Sequence, residues 1–175
     1  MPEHTGLKFT LPAMRILENE HRYLSFLMEE WHAIVLWFEQ EQLTLEEART
    51  QLQKLRRAVQ EFMVPLKKHT DKEETYFFPL LGRYIGFDQG PLAGIQEEHR
   101  EIDGYIGHFL HHSEGDIGQM PLEAIRAAVR DAGEAFEVLT VHFVKEETVI
   151  FPMGENQLSP KDKKLLGEQL NTLIT

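Results

Sequence analysis

The sequence contains no cysteine. That excludes disulfides, thiolate metal sites, cysteine-ligated iron–sulfur clusters and a cysteine nucleophile. Any bound metal must therefore be held by nitrogen and oxygen. Long hydrophobic runs are missing too: the apolar stretch at residues 34–38 is ended by Glu39 and Glu41, far short of a membrane span. No segment alternates with period two, so strands are not expected. The N-terminus lacks a basic region followed by an apolar run, so no secretory leader and a cytoplasmic location are expected. Positive charge is scarce, and 18 Lys and Arg against 29 Asp and Glu leave a net charge of -11. That balance argues against nucleic acid and against an anionic membrane surface as partners, because both would repel the chain. The rest of the composition is that of an ordinary soluble globular chain, and 175 residues suit a single domain with a real core.

What is present is a helical pattern with a flaw. Apolar residues recur at alternating steps of three and four over residues 14–38, 52–80, 92–109 and 125–153, the spacing of a buried helix stripe. Six ionisable side chains interrupt these stripes: His21, His69, Glu73, His99, His142 and Glu146. An unpaired buried charge costs several kcal/mol, so such groups need partners or a metal.

The spacing predicts helix one from Pro12 to about Glu41 and helix two from a Thr44–Glu47 capping box to about Arg83, kinked at Pro65. Helix three is expected from Pro91 to His112 and helix four from Pro121 to about Pro152. Ser159 and Pro160 should open a short C-terminal helix at about residues 159–173. The expected fold class is all-α: an antiparallel up-down-up-down four-helix bundle over about residues 12–155, in one domain spanning 1–175. At roughly 1.5 Å per residue the six polar positions fall near one level, closer to the end with the N-terminal arm and the second loop.

An internal repeat points the same way. Residues 69–79 read HTDKEETYFFP and 142–152 read HFVKEETVIFP, while 20–22 and 98–100 both read EHR. Each half is a helix hairpin with EHR on its first helix and HxxxE on its second, which implies a duplicated unit and a pseudo-two-fold site. HxxxE places His and Glu one turn apart on one face. Four imidazoles and two carboxylates suit two cations: each carboxylate bridges, each cation takes two imidazoles, and room remains for a bridging oxygen and an exchangeable ligand. Mixed His and carboxylate ligation with open positions favours non-haem iron, with manganese and zinc as alternatives.

EHR, HxxxEE and a closing FP, repeated over four helices, resemble the hemerythrin-like proteins with the HHE cation-binding domain. The resemblance covers roughly residues 12–155. It implies a non-haem di-iron centre with an oxygen bridge, held by His21, His69, Glu73, His99, His142 and Glu146, with Glu73 and Glu146 bridging. The oxygen-carrying members have an HxxxH pair on the third helix, where this chain has Asp103 in the second position. In this it is more similar to the bacterial di-iron proteins of nitrosative stress and iron–sulfur-cluster repair. The cysteines of their N-terminal region have no counterpart here, which argues against cluster repair. The implied function is binding or reacting with dioxygen, nitric oxide or peroxide, with an electron-donor protein as a further partner. The alternative is a sensor, carrier or store without turnover.

Glu74, Glu147, Glu20 and Glu98 adjoin the ligand positions and are expected either to accept imidazole N–H groups or to face solvent. Asp103 is read as a solvated or outer carboxylate. His108, His111 and His112 form a decoy near a helix C-terminus, on the opposite face from His99. Trp31, Trp37, Phe62, Tyr76 and Phe77 are expected in the core, with His32 beside it.

Overall fold

Helix α1 (Pro12–Trp37) carries proline in its first turn, where the missing N–H costs nothing. In the computed structural model, which describes residues 6–88 and 90–175, it is the first of seven α-helices, and no strand occurs among the described residues. The leader-peptide reading falls partly on residues 1–5, outside the described residues. No side chain of α1 caps its start. Glu155 does so from the far end of the chain, accepting the N–H groups of Thr10 and Leu11 at 2.6 and 2.8 Å. The helix ends at Trp37 rather than Glu41 because the chain tightens there. Glu39 and Gln40 donate to carbonyls three residues back, and Arg126 takes the Phe38 carbonyl at 2.9 Å.

Thr44 caps α2 (Leu45–Lys72), its Oγ1 accepting the Glu47 N–H at 3.1 Å. A π-helical segment, Glu73–Phe77, follows, with the Phe78 N–H reaching back five residues to the Glu73 carbonyl. Helix α3 (Phe78–Ile85) continues the helical run until Gly86, whose φ of 92° is open to glycine at no steric cost. Next come α4 (Pro91–His112), a 3₁₀ turn at Ile117–Gln119 and α5 (Leu122–Lys145). A second π-helical segment, Glu146–Ile150, leads into α6 (Phe151–Gln157). Ser159 Oγ then accepts the Asp162 N–H at 3.2 Å to start α7 (Pro160–Leu170).

The second and fourth helices of the sequence reading are thus each split by a π segment and run on, to Ile85 and Gln157. The cause is in the repeat. Pro79 and Pro152 lack an N–H and would crowd the carbonyl four residues back in a regular helix. Each sits just past the widened turn, at the start of the next α-helix.

Helix α1 packs on α2, α4 on α5, α1 on α5, and α7 on α1. Two apolar clusters fill the helical bundle. One holds Trp31, Phe62, Phe109 and Leu139; the other holds Met14, Phe78, Ile95 and Phe151. A polar layer separates them. In α1, Leu17 belongs to one cluster and Leu24 to the other, with His21 between. In α4, Ile95 and Ile102 flank His99 in the same way. The cluster with Phe9 and Leu81 lies on the side of the N-terminal arm and second connection, so the level expected from residue counting holds. Tyr76 departs from the core reading: it is 39% exposed, and Trp37 is half-buried.

Candidate metal centre

Each of the six stripe-breaking residues is buried, at 7% exposure or less. Glu73 and Glu146 are fully buried at the first position of the two π segments. The six form two overlapping groups whose candidate ligand atoms all lie within 4.8 Å of one another: His21, His69, Glu73 and Glu146, and Glu73, His99, His142 and Glu146. Both groups share the two carboxylates, and each takes two imidazoles.

The imidazoles are aimed. His21 and His142 bring Nε2 to 3.2 and 3.0 Å from Glu146 Oε1, and His69 and His99 bring Nε2 to 3.5 and 3.3 Å from Glu73 Oε1. At Glu73 these approaches lack hydrogen-bond geometry. His69 Nε2, His99 Nε2, both Glu73 oxygens and Glu146 Oε2 are buried with no hydrogen-bond partner. Five orphaned polar atoms in one small volume are costly unless something satisfies them together. Nitrogen lone pairs and carboxylate oxygens converging from several sides suit a cation, so the donor set fits the metal its residue types suggest.

A second layer sets this orientation. Every ligand imidazole engages one outer carboxylate through Nδ1: His21 with Glu147 at 2.9 Å, His69 with Glu20 at 2.8 Å, His99 with Glu74 at 2.6 Å and His142 with Glu98 at 3.0 Å. Donation from Nδ1–H fixes the tautomer and leaves the Nε2 lone pair facing inward. The pattern obeys the sequence repeat. The glutamate of each EHR holds the histidine of the HxxxE helix in its own half, and the second glutamate of each KEET holds the EHR histidine of the other half. The repeated lysines form a third layer: Lys72 Nζ meets Glu20 Oε2 at 2.5 Å, and Lys145 pairs with Glu98. Lys72 is buried and also donates to the Leu170 and Thr172 carbonyls, which ties the C-terminal segment to this network. Sequence reasoning placed the four outer glutamates beside the ligands but missed the lysines, although their repeat at KEET was the available signal.

Charge in the cage is unevenly shared. Burial, and then the neighbouring Glu146, push the Glu73 carboxyl well above its usual range. Burial opposes ionisation of Glu146 as well, but His142, the adjacent Glu73 carboxyl and His21 outweigh it and hold this carboxyl well below the usual range. Burial works against protonation of His21 and His142, yet their glutamate partners raise both, while burial lowers His69. The hydrogen bond from His99 depresses Glu74. Aromatic rings flank the cage on both sides. Towards the N-terminal cluster His21 lies 5.2 Å from Phe151 and His99 stacks on Phe78 at 5.7 Å, and towards the other cluster His21 stacks on Phe143 at 4.1 Å.

The remaining residues named from sequence lie elsewhere. His112 bonds Asp131 at 2.6 Å, His111 faces Glu114, and neither joins a metal-type cluster among the described residues. His32 stacks on Phe136. Asp103 is exposed and belongs to neither ligand group. Among the described residues no helix is long and apolar enough to cross a membrane.

Comparison with family models matches residues 12–154 to the hemerythrin HHE cation-binding domain. No curated protein and no solved structure matches.

Proposed function

This chain belongs to the hemerythrin HHE cation-binding domain family, and from that premise we propose that it holds a pair of non-haem iron ions and binds or reacts with dioxygen, nitric oxide or peroxide. On this reading α1, α2, α4 and α5 run up-down-up-down as one domain around the pair. His21 and His69 would hold one ion and His99 and His142 the other, with Glu73 and Glu146 shared between them and an oxygen ligand completing the pair. When bound, the iron pair supplies the redox electrons, replenished by an electron-donor protein.

The observation that carries the reading is the shared cage, two groups of donors with both carboxylates in common and five orphaned atoms facing inward. Charge supports it. Glu73, Glu146 and the four outer glutamates bring six carboxyl groups around the cage against the cations Lys8, Lys72 and Lys145, a surplus of acidic groups that bound cations would offset. The chain's own residues supply rigidity and dryness. Outer carboxylates lock the imidazoles, and apolar clusters above and below exclude water, which strengthens every electrostatic contact inside.

No side chain is proposed as a nucleophile. Asp103 in place of a fifth histidine leaves the site poorer in imidazole, which favours redox reaction over reversible carriage. The test is an absorption spectrum with metal content, taken before and after exposure to oxygen, nitric oxide and peroxide. Consumption of peroxide with iron retained supports the reacting centre. Full return of the ligand when the gas is removed supports a carrier instead.

A further inference from the structure

A groove of about 690 Å³ lies beside the centre, between α2 and α4. Its walls include Val64 and Leu66 on one side and Gly107 on the other. Leu66, Thr70 and Asp103 line it and also line a hollow of about 10 Å³ formed against His69, His99 and His142. Such a hollow has room for about one water-sized molecule. These three residues thus stand between the groove and three cage imidazoles. Two of those imidazoles present the orphaned Nε2 atoms of His69 and His99.

The groove is open because α4 lacks side chains there. A Cβ built at Gly107 would meet nothing within 4 Å. Glycine in a helix interior costs about 0.5–1 kcal/mol relative to alanine, and no close packing calls for it here. Other approaches are worse. The cavity near α1, about 240 Å³, touches the cage only at His21, whose Nδ1 is held by Glu147. Phe78 and Phe151 cover the side of the N-terminal cluster.

Asp103 is the sole charged residue of the three that line both groove and hollow; Lys67, Lys68 and Asp71 line the groove but not the hollow, and Lys67 is paired with Asp71. It is exposed, and among the described residues it makes no hydrogen bond or ion pair. A carboxylate at a narrow mouth repels anions and leaves neutral molecules unaffected. We propose that small ligands reach the centre between α2 and α4, through a throat of Leu66, Thr70 and Asp103, and that Asp103 admits neutral molecules in preference to anions. The proposal rests on the reading that the centre takes an external ligand.

Azide and nitric oxide, one anionic and one neutral, are the probes, mixed with iron-loaded protein and followed by stopped-flow absorption. Gly107→Leu, which narrows the groove, slows association of both by about tenfold or more. Dissociation slows by the same factor, so affinity is unchanged, because a passage alters rates and not the end states. Asp103→Asn keeps its iron, speeds azide association by roughly three- to tenfold and leaves nitric oxide unchanged. Should Gly107→Leu fail to fold, Val64→Phe narrows the opposite, exposed wall. Unchanged rates in the narrowed variant overturn the passage while the metal reading stands. Loss of iron from Asp103→Asn, or equal effects on both probes, overturns the selective role of Asp103. Iron-loaded wild type that responds to neither probe overturns the external-ligand reading, and the passage with it.

Discussion

The division of labour between the two imidazole nitrogens organises the centre at the level of single residues. Nδ1 faces an outer glutamate and Nε2 faces the cage in all four histidines. His69→Ala removes a ligand from a fully buried site, so most bound iron should be lost on metal analysis of the purified variant. His108→Ala, on an exposed face, should leave iron content unchanged, and equal content in the two variants would refute the ligand assignment. Glu98→Gln keeps the shape but removes the charge that orients His142 and pairs with Lys145. Loss of such an outer partner typically weakens metal binding by about 10–100-fold. Competition with a chelator should show that loss, with the helical circular dichroism spectrum unchanged.

Among the elements, the two π-helical segments set this chain apart from a plain helix bundle. A turn closed five residues back holds more residues, so consecutive side chains diverge less in direction. That geometry lets Glu73 face the cage while Glu74 reaches His99 on α4, and it repeats at Glu146 and Glu147 with His21. Deleting the exposed Thr148 should turn the second segment into ordinary helix while Ile150 and Phe151 stay buried. The metal-free variant should melt no lower than wild type, yet bind less iron, because Glu147 is carried away from His21. Unchanged iron affinity would show that the π turn is incidental. The apolar stripes made the long helices legible, and their interruptions marked the six residues that the fold gathers into one buried cage. Periodicity could not show an inserted residue, because one widened turn barely disturbs a stripe. The better sign was the proline placed six residues after each cage glutamate, at 79 and 152. Helix ends were less legible than helix bodies. The stop at Trp37 depends on Arg126 and a tightened turn, and the start of α1 on Glu155, all long-range partners.

For the whole molecule, burying six ionisable groups between two apolar clusters makes stability depend on what fills the layer. Each ion present at a hundred times its dissociation constant stabilises the native state by about 2.7 kcal/mol. Two would add about 5 kcal/mol, or roughly 10–20 °C in melting temperature for a chain of this size. Stripping the metal with a chelator should lower the melting temperature by that order, and restoring Fe²⁺ should recover it. Net acidity, absence of cysteine and the helical class were readable from composition and pattern. Which outer glutamate holds which imidazole, and the lysines behind them, were not, because each of these contacts joins residues on different helices. The most direct measurement of the central claim is iron per chain after expression in iron-replete medium and purification without chelator. Close to two ions per chain is the expected result; less than one would contradict a shared cage built around a metal pair.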